Sequence, residues 1–176
     1  MITSIQTSVP YLAVASQILL VFIFLAAFFR KSWGRKVIHF VGKHALILGF
    51  LVALAAVSGS LFYSEIVGFT PCVLCWWQRI FIYPQLVLFA IALWKRDRGI
   101  FKYSSTLAAL AGVVALYHSY VYLGGTSLLP CTALGGACSK VYVYEFRGLV
   151  TIPSMSLTIA LYFLLLGWVN RVYQRS

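Results

Sequence analysis

The chain has 176 residues, 62% hydrophobic and only 10% charged, with a mean hydropathy of +0.93. A soluble domain carries about 25% charged residues, so the composition excludes one and indicates an integral membrane protein of single-domain length. The formal charge of +11, from 14 Lys and Arg against 3 Asp and Glu, lies beside apolar runs rather than on an aromatic–basic face. It therefore reads as topology-setting charge, not as a nucleic-acid surface.

Five apolar stretches reach the roughly 20 residues that a spanning helix needs. The first, residues 9–29, has no basic residue before it and is followed directly by Arg30 and Lys31. This pattern is that of an uncleaved helix rather than of a signal peptide. The segment 30–44 adds Arg35, Lys36 and Lys43, with His39 and His44 as solvated residues. The second span is 45–64 and the third is 72–94, within which Pro84 is expected to bend the helix. After Lys95, Arg96, Asp97, Arg98 and Lys102 comes a fourth span, 103–123; the fifth, 153–170, is followed by Arg171 and Arg175. Alternation of five spans places eleven basic residues on one side and only Lys140 and Arg147 on the other. The positive-inside rule then puts the basic side in the cytoplasm, and the N-terminus and all four cysteines outside. That is the compartment in which disulfides persist.

The cysteines form two pairs. Thr70-Pro71-Cys72-Val73-Leu74-Cys75 reads as a helix start, with Thr70 as N-cap and Pro71 in the first helical position. The free N–H groups and the positive end of the helix dipole there favour a thiolate. Arg79, four residues after Cys75, shares its helix face. An arginine at bilayer depth is costly and marks a functional site unless it snorkels to the interface. A structural disulfide across so short a loop is a poor staple. A zinc site would require all four cysteines as ligands, since no other ligand cluster is present, so no metal is expected. Redox chemistry is the favoured reading.

The second pair, Cys131 and Cys138, lies in the longest outer segment, where Gly135-Gly136 lets the chain turn back so that the sulfurs can pair locally. A small exposed loop disulfide is open to attack by a thiolate from another protein; the alternative is a loop staple. The aromatic stretch 141–150 is too short to span and is expected to lie along the interface as an anchor. His118, beside Tyr117 near the outer end of the fourth span, either faces a ligand or makes an interhelical hydrogen bond. Trp76 and Gln78 are candidates for lining a pocket near the CxxC. Glu65, Asp97 and Glu145 are too scattered for acid–base work.

With these residues in place the chain resembles the DsbB family of membrane disulfide-forming oxidoreductases, in its compact short-loop form. The features that carry the resemblance are Pro71-Cys72-Val73-Leu74-Cys75 with Arg79, the interval from His118 to Cys131, the Cys131/Cys138 pair and the Gly148…Ile152-Pro153 stretch. The resemblance implies an all-α polytopic membrane helix bundle. Residues 45–176 would form the four-helix oxidoreductase domain, and residues 1–44 an extra transmembrane helix and basic loop with no counterpart in the usual core. It further implies that a DsbA-like thioredoxin-fold partner attacks Cys131, that Cys138 exchanges with Cys72, and that Cys75 passes electrons to a membrane quinone, ubiquinone or menaquinone. Arg79 would steady the quinone and the Cys75 thiolate, and His118 would be a weaker candidate for quinone contact. Gln78 departs from an acidic residue in some members.

Two other readings compete. A vitamin K epoxide reductase-like protein also couples a loop pair to a CxxC, but there the loop pair comes first in the chain. A non-enzymatic scaffold with two structural disulfides leaves Arg79 unexplained; structural disulfides resist mild reductant, whereas catalytic ones are labile.

Overall fold

The structure, a computed structural model, describes residues 2–29, 32–127, 138, 142–144 and 146–175. Six helices follow in order: α1 (Ile2–Phe29), α2 (Ser32–Lys43), α3 (Ala45–Leu61), α4 (Val73–Lys95), α5 (Ile100–Tyr122) and α6 (Ile152–Arg175). All but α2 are long and apolar enough to cross a bilayer, and the chain is a multi-pass membrane protein. α3 to α6 form a closed ring, each packing on the next and α6 returning to α3; α1 and α2 pack on each other and on α6.

Small residues set the spacing of the ring. Ala108, Ala111 and Ala115 of α5 and Ala160 of α6 are buried, which lets the backbones approach closely where lipid supplies no hydrophobic drive. Toward the basic end the core turns aromatic. Phe89 stacks on Phe163 at 5.6 Å and meets Phe101 edge-on at 5.5 Å. Gly49 faces the Phe89 ring so closely that a Cβ would collide with it. At the same end Arg98 donates to the carbonyls of Gly42 (2.8 Å) and Lys43 (3.1 Å) and to Asn170 Oδ1 (2.9 Å), with its guanidinium over Tyr173. One side chain thus ties the α4–α5 turn to the α2–α3 junction and to α6.

Three local features differ from the sequence expectation. The basic segment after α1 contains a helix, because Gly34, Ile38, Val41 and Gly42 fall on one buried face while Arg35, Lys36, His39 and Lys43 are exposed. α4 starts at Val73 with Cys72 as its N-cap, so Thr70 and Pro71 precede the helix; it then runs through Pro84 as one helix. Within the expected interfacial anchor the only helical element among the described residues is a 3-10 turn, Phe146–Gly148. The segment folds onto the bundle, with Val143 and Val150 buried and the Val143 carbonyl accepting from Tyr122 Oη at 3.0 Å.

Candidate active site

The start of α4 delivers its two sulfurs to different surroundings. Cys72 has extended backbone (φ −80°, ψ 173°), and its carbonyl accepts the Trp76 N–H at 3.1 Å, so the helix begins on it. Cys75 lies three residues on, and the two Sγ atoms are 3.3 Å apart, both as free thiols. Cys72 is buried in a small apolar cluster with Leu74, Val121 and Cys138, with Cys75, Val114 and Tyr117 packed against it. Cys138 is itself disulfide-bonded. Cys131 lies outside the described residues.

His118 is buried beside this pair. Its Nε2 is 3.8 Å from Cys72 Sγ, and Gln78 Nε2 donates to its Nδ1 at 3.2 Å. That donation leaves the ring proton on Nε2, aimed at the sulfur. The hydrogen bond from Cys75 draws the Cys72 thiol well below its ordinary value, and His118 adds to the shift, against the opposing effect of burial. Cys72 is accordingly the thiolate of the pair when both are reduced. The donors of Cys72, Cys75 and His118 lie within 4.8 Å of one another. This is a three-ligand set of a kind that also suits zinc, and forming the disulfide would use up two of the three.

Cys75, unlike Cys72, also lines a partly open cavity of about 590 Å³ between α1, α3, α4 and α6. This volume falls in the range of small-molecule sites, about 300–1,000 Å³. Gln78, Arg79, Ile82 and Tyr83 of α4 line it with Cys75. Arg79 does not reach for the interface. Its Nε donates to Ser60 Oγ at 3.1 Å and its Nη2 to the Ser60 carbonyl at 3.3 Å, and Tyr83 Oη also donates to Ser60 Oγ. The guanidinium lies over the Trp76 ring at 5.2 Å, and Trp76 itself is largely exposed.

α3 ends in a π-helical turn, Phe62–Ile66, a distortion common at functional sites. It carries Tyr63 into the cavity wall. Tyr63 stacks on Phe69 (5.5 Å) and Phe69 on Tyr142 (4.6 Å), closing the cysteine end of the cavity with three rings. Two hydroxyls in the wall, Tyr63 Oη and Ser156 Oγ, are buried without a hydrogen-bond partner.

The expected site residues therefore separate into two groups on either side of the CxxC. His118 and Cys138 stand with Cys72, and His118 is not among the residues that line the cavity; Arg79 stands with Cys75 in the cavity wall. Sequence reasoning missed Ser60, Tyr63, Tyr83 and Ser156. Ser58-Gly59-Ser60 in an otherwise apolar span was a usable signal, as was Tyr83 one turn beyond Arg79; nothing in the sequence announces the π-turn that turns Tyr63 inward.

Comparison with known proteins agrees with this geometry. Residues 42–170 match the family described as disulfide bond formation protein DsbB. The SPbeta prophage-derived disulfide bond formation protein B of Bacillus subtilis is 38% identical over 114 residues, covering 65% of this chain and 76% of that protein. Disulfide bond formation protein C of the same organism is 38% identical over 117 residues, 64% of this chain and 81% of that one. A probable disulfide formation protein of Deinococcus radiodurans is 39% identical over 132 residues, 70% and 86% of the respective chains. No solved structure matches significantly. A family match over most of the chain, relatives covered across three quarters or more of their length, and a CxxC at the head of a membrane helix together make this chain a member of the DsbB family.

Proposed function

We propose that this membrane thiol–disulfide oxidoreductase reoxidises an extracytoplasmic thioredoxin-fold partner and passes the electrons to a membrane quinone. The observation that carries the reading is the split of the CxxC: Cys72 packs against the disulfide-bonded Cys138, while Cys75 opens into an apolar cavity. Nine described basic residues, on α2, around the α4–α5 turn and at the end of α6, lie at the opposite end of the bundle and support an orientation with the cysteines outside the cytoplasm.

The cavity suits a quinone. Most of its wall is apolar, Gln78 and Arg79 line it on the same helix as Cys75, and the partnerless Tyr63 hydroxyl is a donor for a carbonyl oxygen. When bound, a quinone supplies a two-electron, two-proton acceptor. The protein's own steps are disulfide exchanges. The partner's thiolate attacks Cys131, forming a mixed disulfide and releasing Cys138 as a thiolate. Cys138 attacks Cys72 of the oxidised CxxC, forming a Cys72–Cys138 bond and releasing the Cys75 thiolate into the cavity. The partner's second thiol then resolves the mixed disulfide with Cys131 and leaves oxidised. The freed Cys131 thiolate attacks Cys138 and displaces Cys72 as a thiolate, restoring the loop disulfide and leaving the CxxC reduced. Each exchange proceeds in the direction set by reduction potential. Arg79, fixed on Ser60, holds a positive charge on the Cys75 face of the helix, and His118 holds a proton donor against Cys72.

The test is quinone reduction by purified protein with a reduced thioredoxin-fold donor, comparing wild type with Cys75→Ser and Cys131→Ser. Loss of turnover in both is expected. Turnover that survives Cys131→Ser places the partner's attack elsewhere, and disulfides that resist mild reductant in a protein inactive with every quinone return the scaffold reading.

A further inference from the structure

The first helix lies outside the family match, which begins at residue 42, yet it forms one wall of the cavity. Resting on the quinone reading above, we infer that α1 adds a wall to the site and makes the groove along α3, α4 and α6 a half-enclosed channel for the acceptor's polyisoprenoid tail, so that this chain discriminates long-tailed from tailless quinones.

α1 is firmly held. Gln17 Nε2 reaches Thr158 Oγ1 and the Leu149 carbonyl, each at 3.4 Å, and Tyr162 Oη donates to the Ser16 carbonyl. The Tyr11 and Phe146 rings meet edge-on at 5.3 Å. At its other end Ala27 is fully buried, and Gly34 of α2 sits so close to the Ala26 carbonyl that no Cβ would fit. These ties run along α6 and α2, whereas the cavity separates α1 from α3 and α4. Val9, Leu12, Ala13, Ser16 and Ile23 form a helical stripe along the cavity, while Ile18, Val21, Leu25 and Phe28 are exposed on the outside. A helix that merely anchored the chain would have no reason to stand clear of the bundle on one face.

The shape of the space fits a head and a tail. Ser60, Tyr63, Gln78 and Arg79 line it with Cys75, further polar groups come from Ser16 and Gln17 of α1 and Ser156, Thr158 and Tyr162 of α6, and beyond these it continues past Val52 and Leu48 of α3 and Leu166 of α6 to Val41 of α2. From Ser60 to Leu48 along α3 is about 18 Å at 1.5 Å per residue, more than a single ring fills. Small residues keep it open: Ala13 on α1, Ala55 and Gly59 on α3, and a Cβ added at Gly59 would meet nothing within 4 Å. Moving a hydrocarbon tail from lipid into such a channel brings little hydrophobic gain, because lipid is equally apolar. The discrimination comes from dispersion contacts of the tail with α1, α3 and α6 and from the barrier that α1 sets on one side against its exit.

The test is binding to purified full-length protein, read by quenching of tryptophan fluorescence, with one quinone head group carrying either no tail or a long polyisoprenoid tail. Wild type is expected to bind the tailed form at least about tenfold more tightly, a difference of 1.4 kcal/mol. Ala13→Phe, which fills the channel from α1, should bring the two affinities together. Ala55→Phe, which fills it from α3, should do the same should the first variant fail to fold. Ile18→Phe, on the outer face of α1, should keep the preference. Equal affinities in wild type, or a preference that survives both filling substitutions, overturns the channel while leaving the quinone reading intact. A wild type that binds neither form overturns both.

Discussion

The two ends of the bundle are built on opposite principles. At the basic end Arg98 satisfies two carbonyls and Asn170, and Phe89, Phe101 and Phe163 fill the space between helices. At the cysteine end two thiols are free, two buried hydroxyls lack partners, a π-turn interrupts α3, and the cavity takes in Cys75 and Arg79. Groups left unpaired in a low-dielectric interior are costly, and a fold keeps them where function uses them. The comparison assigns chemistry to one end and rigidity to the other, and each assignment can be attacked separately.

The largest effect is expected from the two CxxC sulfurs, which should fail in different ways. Both Cys72→Ser and Cys75→Ser should lower turnover by about 10⁴ or more, as expected for groups that act as a unit. Without partner, the lone Cys72 thiolate of Cys75→Ser should attack Cys138 of the loop disulfide and release Cys131, so that a Cys72–Cys138 disulfide accumulates, because Cys72 packs beside Cys138. Cys72→Ser should not accumulate a Cys75–Cys138 bond, since Cys75 faces the cavity. Mass spectrometry of unreduced peptides reads both, and equal cross-linking in the two variants would erase the division of labour between the sulfurs.

Next in size is the pH dependence of Cys72. Its thiol is drawn well below the ordinary value by the hydrogen bond from Cys75, so the pH midpoint for alkylation of the reduced protein should lie below that of a free thiol. The depressed value stabilises the dithiol relative to the disulfide, which makes the CxxC disulfide more oxidising. That stabilisation is complete above the ordinary thiol value and is lost as pH falls through the depressed one. His118→Gln should raise the alkylation midpoint by about one unit, worth 1.36 kcal/mol and roughly 30 mV in a two-electron couple. If His118 acted on the quinone instead, the affinity for quinone would change and the midpoint would stay.

Most of this arrangement was legible in the sequence, and the illegible parts have identifiable causes. Five long apolar runs, the CxxC and Arg79 are local patterns, and the helices form where periodicity and length require them. α2 was hidden because its charges dominate a segment whose buried stripe is only Gly34, Ile38, Val41 and Gly42. The pairing of His118 with Cys72 depends on how α4 and α5 are rotated about their axes, forty-six residues apart in sequence. The cavity is a void between four helices, and a void leaves no residue pattern beyond a few glycines and alanines.

At the basic end the expected effects are on stability alone. Arg98→Ala removes a side chain that bridges three elements and leaves Asn170, which is buried, without its partner. A loss of about 1–3 kcal/mol is expected, seen as a lower thermal midpoint in detergent, with quinone reduction per folded molecule unchanged. A fall in specific activity at full folding would mean that the two ends are coupled.

The smallest effect belongs to Gln85 and Ser104, a buried pair joined at 2.6 Å between the two ends, in which Gln85 Nε2 has no partner. Ser104→Ala alone strands the Gln85 Oε1 as well and should cost about 1–3 kcal/mol. Adding Gln85→Leu removes the stranded amide and replaces it with an apolar side chain of similar size, so the double variant should return to within about 1 kcal/mol of wild type. The double-mutant cycle separates two roles for this pair. Near-neutral stability with full activity makes it a packing unit of the rigid half. A double variant that is stable but slow in quinone reduction would show that the Gln85 amide, partnerless as it is, serves the chemistry one helix turn beyond the Ile82 wall of the cavity, and the boundary between the two halves would move toward the basic end.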